Sequence, residues 1–143
     1  MADTHISHRG VSIVIPIGSR HDDLRDLLQD YAGALKGAGQ DFEIIAVVDG
    51  PRQQAMAALT ELAQSHDWLR VIKLSREFGE SAALTAGFSV GCGDIFVTLP
   101  AYYQVDPAEL PKLIEQAGDH DDVLIAVRWP RAGSSFERTR RNV

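Results

Sequence analysis

The stretch "VSIVIPIGSRHDDLRDLLQDYAGALKGAGQDFEIIAVV", residues 11–48, contains two short apolar runs separated by a segment of helical period. The runs at 11–16 and 42–48 are rich in valine and isoleucine with little polar alternation, which is typical of strands buried on both faces of a sheet. Between them, apolar side chains recur at the spacing of one helix face: Leu24, Leu27, Leu28, Tyr31 and Leu35. Ser19, three residues before Asp22, predicts the start of this helix. Strand, helix and strand in this order predict two parallel strands joined by a crossover helix.

The same alternation continues along the chain. Apolar runs at 69–74, 94–99 and 122–127 predict three further strands. Helical patterns follow the second, third and fourth strands: Met56, Leu59, Leu62 and Ala63; residues 79–91; and the segment after Pro107. The helix at 79–91 is rich in small residues, so we expect it to pack close to the sheet. The pattern predicts an α/β doubly wound domain with a mainly parallel sheet and helices on both faces.

The composition suits one globular domain, since 143 residues with 45% hydrophobic content can bury a sizeable core. We expect a flexible N-terminus at 1–10, the α/β domain at 11–128 and a basic C-terminal segment at 129–143. The single cysteine, Cys92, excludes an internal disulfide. No apolar run approaches the roughly 20 residues of a membrane span, and the first ten residues lack the apolar core of a secretory signal. These features predict a cytoplasmic location.

Charge is unevenly distributed along the chain. From Arg128 to the end, five arginines stand against one glutamate, a net charge of +4, which leaves −10 for residues 1–127 of the total of −6. The acidic body argues against a nucleic-acid partner. The basic tail suits a phosphate, an anionic membrane surface or only solvent, and these alternatives stay open, as does self-association into a homo-oligomer.

Ligands of doubly wound sheets bind beyond the carboxyl ends of the strands, where the strand order reverses. Four loops occupy this edge: "IGSRHD" (17–22), "DGPR" (49–52), "SREFGE" (75–80) and "PAYYQVD" (100–106). None contains the glycine-rich pattern of dinucleotide dehydrogenases or of P-loop NTPases, which removes both classes as leading candidates. Asp49 has two interpretations at this stage: it accepts hydrogen bonds from a ribose or base, or it belongs to an ordinary turn before a helix.

The stretch "LSREFGESAALTAGF", residues 74–88, resembles the loop and helix of glycosyltransferase family 2, and within it the dolichyl- and polyprenyl-phosphate sugar synthases. The likeness extends over most of the chain. It includes "VSIVIPI" as the opening strand, "FEIIAVVDG" as the second, Gly93-Asp94 before the fourth, "VDPAELPKLIE" as the following helix and "DVLIAVRWPRAGSSFERTR" beyond it. The resemblance implies the N-terminal half of a nucleotide-sugar transferase of GT-A type, with the acceptor side outside these residues.

A crevice for a nucleotide-diphosphate sugar is what this resemblance implies for the four loops. Pro16 would close the first strand, Asp49 would face the nucleoside, and Arg76 and Gly79 would line the floor. Two arginines would face phosphate, whose oxygens match the guanidinium fork. The full predicted nucleotide-sugar-binding set is Pro16, Asp49, Arg76, Gly79, Tyr102, Arg128 and Arg131.

The chain departs from the family at the metal motif. An Asp-x-Asp pair holds Mg²⁺ or Mn²⁺ in the family, and Pro100-Ala101-Tyr102 stand there in this chain. A phenol with a pKa of about 10 stays protonated and is a poor ligand for hard cations. We therefore predict no metal ligand, although the family leads one to expect the ion, and the catalytic residues stay unassigned. Asp106 and Glu109 are the less favoured replacement ligands.

The first two loops also differ from the family. Gly18-Ser19-Arg20 stand where the family has Tyr-Asn-Glu, and Val48 stands where it has aspartate. One hypothesis is an impaired or inactive transferase that would move sugar from a nucleotide diphosphate to a polyprenyl phosphate, peripheral to a membrane. The alternative is a catalytically silent domain that binds a nucleotide or a protein, with Tyr102 and Tyr103 packing on a partner or stacking on a ring.

Overall fold

The computed structural model describes residues 10–117, in which four strands form one parallel sheet. The strands are β1 (Val11–Ile17), β2 (Phe42–Val48), β3 (Leu69–Lys73) and β4 (Ile95–Thr98). They lie in the order β3-β2-β1-β4, and all three neighbouring pairs are parallel. The strand order therefore reverses between β1 and β4, as in a doubly wound sheet.

Helices cover both faces of the sheet, as predicted. Three of them, α1 (Leu24–Gly37), α2 (Gln53–Ser65) and α4 (Leu110–Gln116), contribute side chains to the larger apolar cluster on one face. The fourth, α3 (Glu80–Val90), packs on the other face against Val14, Ile45 and Val47. A 3₁₀ turn at Pro107–Glu109 precedes α4, with proline in the first turn.

Burial differs between the central and the outer strands of the described sheet. β1 and β2 are buried on both faces over most of their length, because each lies between two strands and two helix layers. β3 and β4 have one described neighbour each, and Arg70, Lys73, Phe96 and Thr98 are exposed. The prediction of strands buried on both faces was therefore wrong for β3 and β4.

The start of α1 also differs from the prediction. Asp23, not Ser19, caps the helix, because its carboxylate accepts a hydrogen bond from the N–H of Asp26 at 3.0 Å. The chain from Gly18 to Asp23 is instead a non-helical loop, and the N–H of Asp22 donates to the carbonyl of Ala101 at 2.9 Å. Tertiary contact with the loop after β4 thus takes the place of an earlier helical turn.

Close packing of α3 against the sheet confirms the interpretation of its small residues. Gly87 is buried, and a methyl group there would overlap the side chain of Val14. The absence of a side chain at this position is what allows the helix to approach β1.

Several predicted features lie outside the described residues: the strand at 122–127, Arg128, Arg131, and the segments at 1–9 and 129–143. The predicted domain boundaries stay predictions. No helix within residues 10–117 is both long and apolar enough to cross a membrane.

Candidate functional site

The loops that follow the four strands lie at one edge of the sheet, because all four strands run in the same direction. A surface depression of 340 Å³ opens there between the loops after β1 and β2. Its wall includes Ser19 and His21 from the first loop and Pro51 and Arg52 from the second. This edge is where ligands bind in doubly wound sheets.

Asp49, directly after β2, fixes the loop between β3 and α3. Its side chain accepts hydrogen bonds from the N–H of Phe78 at 2.8 Å and of Gly79 at 3.0 Å, and the residue is only 5% exposed. Gly79 has a φ of 101°, a conformation that L side chains rarely adopt, so glycine suits this turn. Asp49 thus has a structural role at the site, while its contact with a nucleoside stays a prediction.

The loop between β3 and α3 presents an arginine and an aromatic ring to solvent. The guanidinium carbon of Arg76 lies 4.7 Å from the centroid of the Phe78 ring, which is 49% exposed. Beside this pair, Arg52 donates from Nε to the carbonyl of Asp49 at 3.0 Å and lies 3.6 Å from the carboxylate of Glu77. Contacts with Arg52 and Asp49 therefore attach this loop to the end of β2.

A second set of contacts joins the loops after β1 and β4. Besides the bond from Asp22 to Ala101, the N–H of Tyr103 donates to the carboxylate of Asp22 at 2.7 Å. The hydroxyl of Tyr103 donates to the carboxylate of Asp30 on α1. This hydrogen bond is the main reason that the pKa of Tyr103 lies above its ordinary value, and the nearby charges of Asp30 and Asp26 raise it further.

Arg20 and Tyr102 meet where these two loops come together. The guanidinium carbon of Arg20 lies 4.2 Å from the centroid of the Tyr102 ring, a distance typical of a cation–π contact. Arg20 is exposed and Tyr102 is partly buried. The pair stands between the carboxyl ends of β1 and β4, where the strand order reverses.

The donor set at this edge does not fit a divalent cation. Pro100-Ala101-Tyr102 supply no carboxylate, and within residues 10–117 no three histidine, cysteine or acidic side chains are grouped to hold a metal. Asp106 is engaged as a cap, accepting from the N–H of Ala108 at 3.0 Å, and Glu109 pairs with Lys112 at 3.0 Å. Neither carboxylate is placed in a ligand cluster of the kind that hard cations need.

Four of the predicted residues fall into two groups in the structure. Asp49, Arg76 and Gly79 belong to one connected region around the loop after β3, and Tyr102 belongs to the contact between the loops after β1 and β4. Pro16 lies within β1, partly buried and paired in register with Val47.

Arg20 was absent from the predicted set of binding residues. A cation in the first loop and an aromatic residue in the fourth were visible in the sequence, but their proximity depends on β1 and β4 being neighbours. The strand order supplies that information.

Comparison with known proteins identifies the family. The model of the family described as glycosyl transferase family 2 matches residues 12–143. The chain belongs to glycosyltransferase family 2. Two similar relatives are undecaprenyl-phosphate 4-deoxy-4-formamido-L-arabinose transferases, from Pseudomonas fluorescens (strain SBW25) at 41% identity and from Klebsiella pneumoniae subsp. pneumoniae at 35%, each over 90% of this chain. The chain spans only 38% and 40% of the length of these two relatives.

Among solved structures, this family 2 domain is similar to a mannosyltransferase from Pyrobaculum calidifontis in complex with GDP-Man and Mn²⁺. The TM-score is 0.64 over 78% of this chain and 33% of the mannosyltransferase, at 16% identity. The likeness confirms the predicted GT-A type fold.

Proposed function

We propose that this chain is the donor-binding part of a family 2 glycosyltransferase. A nucleotide-diphosphate sugar would bind at the carboxyl edge of the sheet, and the sugar would pass to a polyprenyl-phosphate acceptor. The observation that carries the proposal is the meeting of the four loops at one edge, with the depression of 340 Å³ between the first two. Asp49 keeps the third loop in place there through two backbone hydrogen bonds.

The relatives supply the chemical class of donor and acceptor. The two bacterial relatives are named for transfer to undecaprenyl phosphate, and the mannosyltransferase is described with GDP-Man bound. A lipid-phosphate acceptor places the reaction at a membrane surface, and the basic segment at 129–143 suits attraction to anionic headgroups. The proposal therefore includes peripheral association of this chain with a membrane surface.

Catalysis by this chain is expected to be impaired. The leaving group of the reaction is a nucleoside diphosphate, and a divalent cation next to it stabilises the developing charge by several kcal/mol in enzymes that use one. The residues at the position of the metal motif, Pro100-Ala101-Tyr102, do not fit such an ion. Each 1.4 kcal/mol of lost stabilisation slows the reaction about tenfold, so transfer should be slower by orders of magnitude.

A second candidate function is a catalytically silent domain that keeps the fold for nucleotide or protein binding. Exposed aromatic rings at the same edge favour it: Phe78 is 49% and Tyr103 42% exposed. Such rings stack on bases, sugars or the side chains of a partner protein. If the silent domain binds a nucleotide, both candidate functions include nucleotide binding. They differ in catalysis, because only the transferase would transfer the sugar.

Thermal unfolding with UDP-, GDP- and dTDP-sugars, each with and without Mn²⁺, tests donor binding. A ligand at a hundredfold its dissociation constant adds about 2.7 kcal/mol to the free energy of unfolding, which a melting curve detects easily. The proposal expects at least one of these donors to raise the melting temperature. The corresponding free sugars should leave the melting temperature unchanged. No change with any nucleotide would contradict donor binding and favour a protein-interaction domain.

A further inference from the structure

From the contact between Arg20 and Tyr102 we infer that a guanidinium takes the place of the divalent cation opposite the donor's diphosphate, so that donor binding by this chain needs no metal. The inference rests on the proposed donor-binding function. It names the group that meets the diphosphate and assigns Arg20 a role that the sequence did not indicate.

Arg20 lies where the loops after β1 and β4 are joined. The loop after β1 is attached to the loop after β4 by the bonds from Asp22 to Ala101 and from Tyr103 to Asp22. These bonds hold Arg20 over the ring of Tyr102, the residue that aligns with the second aspartate of the family's metal motif. A phosphate that approached this position would meet the positive charge of Arg20 in place of an ion.

Among the residues that the structure describes, no neighbour neutralises the charge of Arg20. Three described arginines have carboxylate partners: Arg25 with Glu61 at 2.5 Å, Arg52 with Glu77 at 3.6 Å, and Arg70 with Glu43 at 3.4 Å. Within residues 10–117, no carboxylate lies at ion-pair distance from Arg20 or Arg76, and each stands over an aromatic ring at the candidate site. An arginine held by a ring keeps its outward N–H donors available for an anion.

The chemistry of the two groups fits. A guanidinium is permanently charged and offers planar pairs of N–H donors that match the spacing of phosphate oxygens. As long as no carboxylates stand at this position to offset it, the same charge also disfavours a divalent cation there, since like charges a few ångströms apart repel each other. The loss of the acidic motif is therefore consistent with the presence of Arg20 over Tyr102, which stands at the position of the motif.

Isothermal titration calorimetry with UDP, GDP and dTDP, in EDTA and in Mn²⁺, tests the inference. The dissociation constant of the nucleotide that binds should be similar in both buffers. Arg20→Ala should weaken its binding about tenfold or more, since one charge-assisted hydrogen bond is worth roughly 1.5–3 kcal/mol. Arg25→Ala is the matched control, because it removes an equal charge from the exposed face of α1, and it should bind as the wild type does. Binding of the corresponding nucleoside, which has no phosphate, should be unaffected by Arg20→Ala.

The results also separate this inference from the proposed function. Binding that requires Mn²⁺, or equal affinity of the wild type and Arg20→Ala, would overturn the inference and leave donor binding intact. Absence of binding for all three nucleotides in both buffers would overturn donor binding and the inference with it. Tyr102→Phe keeps the ring under Arg20 and should retain affinity, whereas Tyr102→Ala should lose part of it. An unfolding curve for each variant verifies that the fold is intact.

Discussion

Asp49 shows at the scale of one residue how a polar group close to the core is satisfied. Its side chain is nearly inaccessible, and both carboxylate oxygens accept backbone N–H groups from the loop after β3. Burial of a carboxylate without such partners would cost several kcal/mol. The two hydrogen bonds offset this cost and so allow Asp49 to be buried.

Replacement of Asp49 by asparagine should lower the free energy of unfolding by about 1–3 kcal/mol. The amide turns an NH₂ group toward one of the two backbone N–H donors and leaves that donor unpaired. Urea denaturation of the wild type and of Asp49→Asn measures the difference. Asp67→Asn, at an exposed position, is the control and should change stability by less than about 0.5 kcal/mol. Equal stability of both variants would mean that the hydrogen bond lost in Asp49→Asn contributes nothing net.

At the scale of elements, α3 and the sheet approach each other through a glycine. Gly87 faces Val14 of β1, and no side chain fits between them. Gly33, in α1, is exposed and has open space around the position of a Cβ. The two glycines occupy the same kind of backbone, so their substitution isolates packing from helix propensity.

Gly87→Ala should destabilise the protein by roughly 1–3 kcal/mol, because the added methyl group forces α3 away from β1. Gly33→Ala should stabilise it by about 0.5–1 kcal/mol, since alanine is the better helix former and meets no obstacle. Chemical denaturation of the two variants side by side gives both values. A gain in stability from Gly87→Ala would show that the helix can shift without loss of packing.

At the scale of the whole molecule, the reversal of strand order between β1 and β4 brings together two loops that are about 80 residues apart in sequence. The first loop carries Arg20 and the fourth carries Tyr102 at the position of the family's metal motif. The backbone of the fourth loop is held by Asp22 through Ala101 and Tyr103, so its position does not depend on the side chains of Pro100 and Tyr102.

The double substitution Pro100→Asp with Tyr102→Asp should therefore create binding of one Mn²⁺ per chain, because two carboxylates would face each other at the position of the motif. Isothermal titration calorimetry with MnCl₂ measures the binding. The matched control, Pro100→Asn with Tyr102→Asn, has a similar shape without the charge and should bind far more weakly. A double aspartate variant that evolves no heat with Mn²⁺ would mean that the loop no longer follows the family's backbone.

Much of the architecture could be predicted from the sequence. The valine- and isoleucine-rich runs mark β1 to β4 to within about two residues at each end, and the apolar positions of α1 are all buried as the helical period indicates. The family likewise follows from local residue patterns, with "LSREFGESAALTAGF" at their centre. Propensity and period act over a few residues, which is why they are readable along a chain.

The sequence by itself determined the kind of elements, their order, the family and the loss of acidic residues from the metal motif. The tertiary structure alone decided that Asp22 joins the loop after β1 to the loop after β4, that Asp49 holds the loop after β3, and that Arg20 lies over Tyr102. Those features depend on which strands become neighbours, and that choice is made by packing of the whole sheet and its helices. Contacts between residues far apart in sequence carry no local signal, so only the folded chain reveals them.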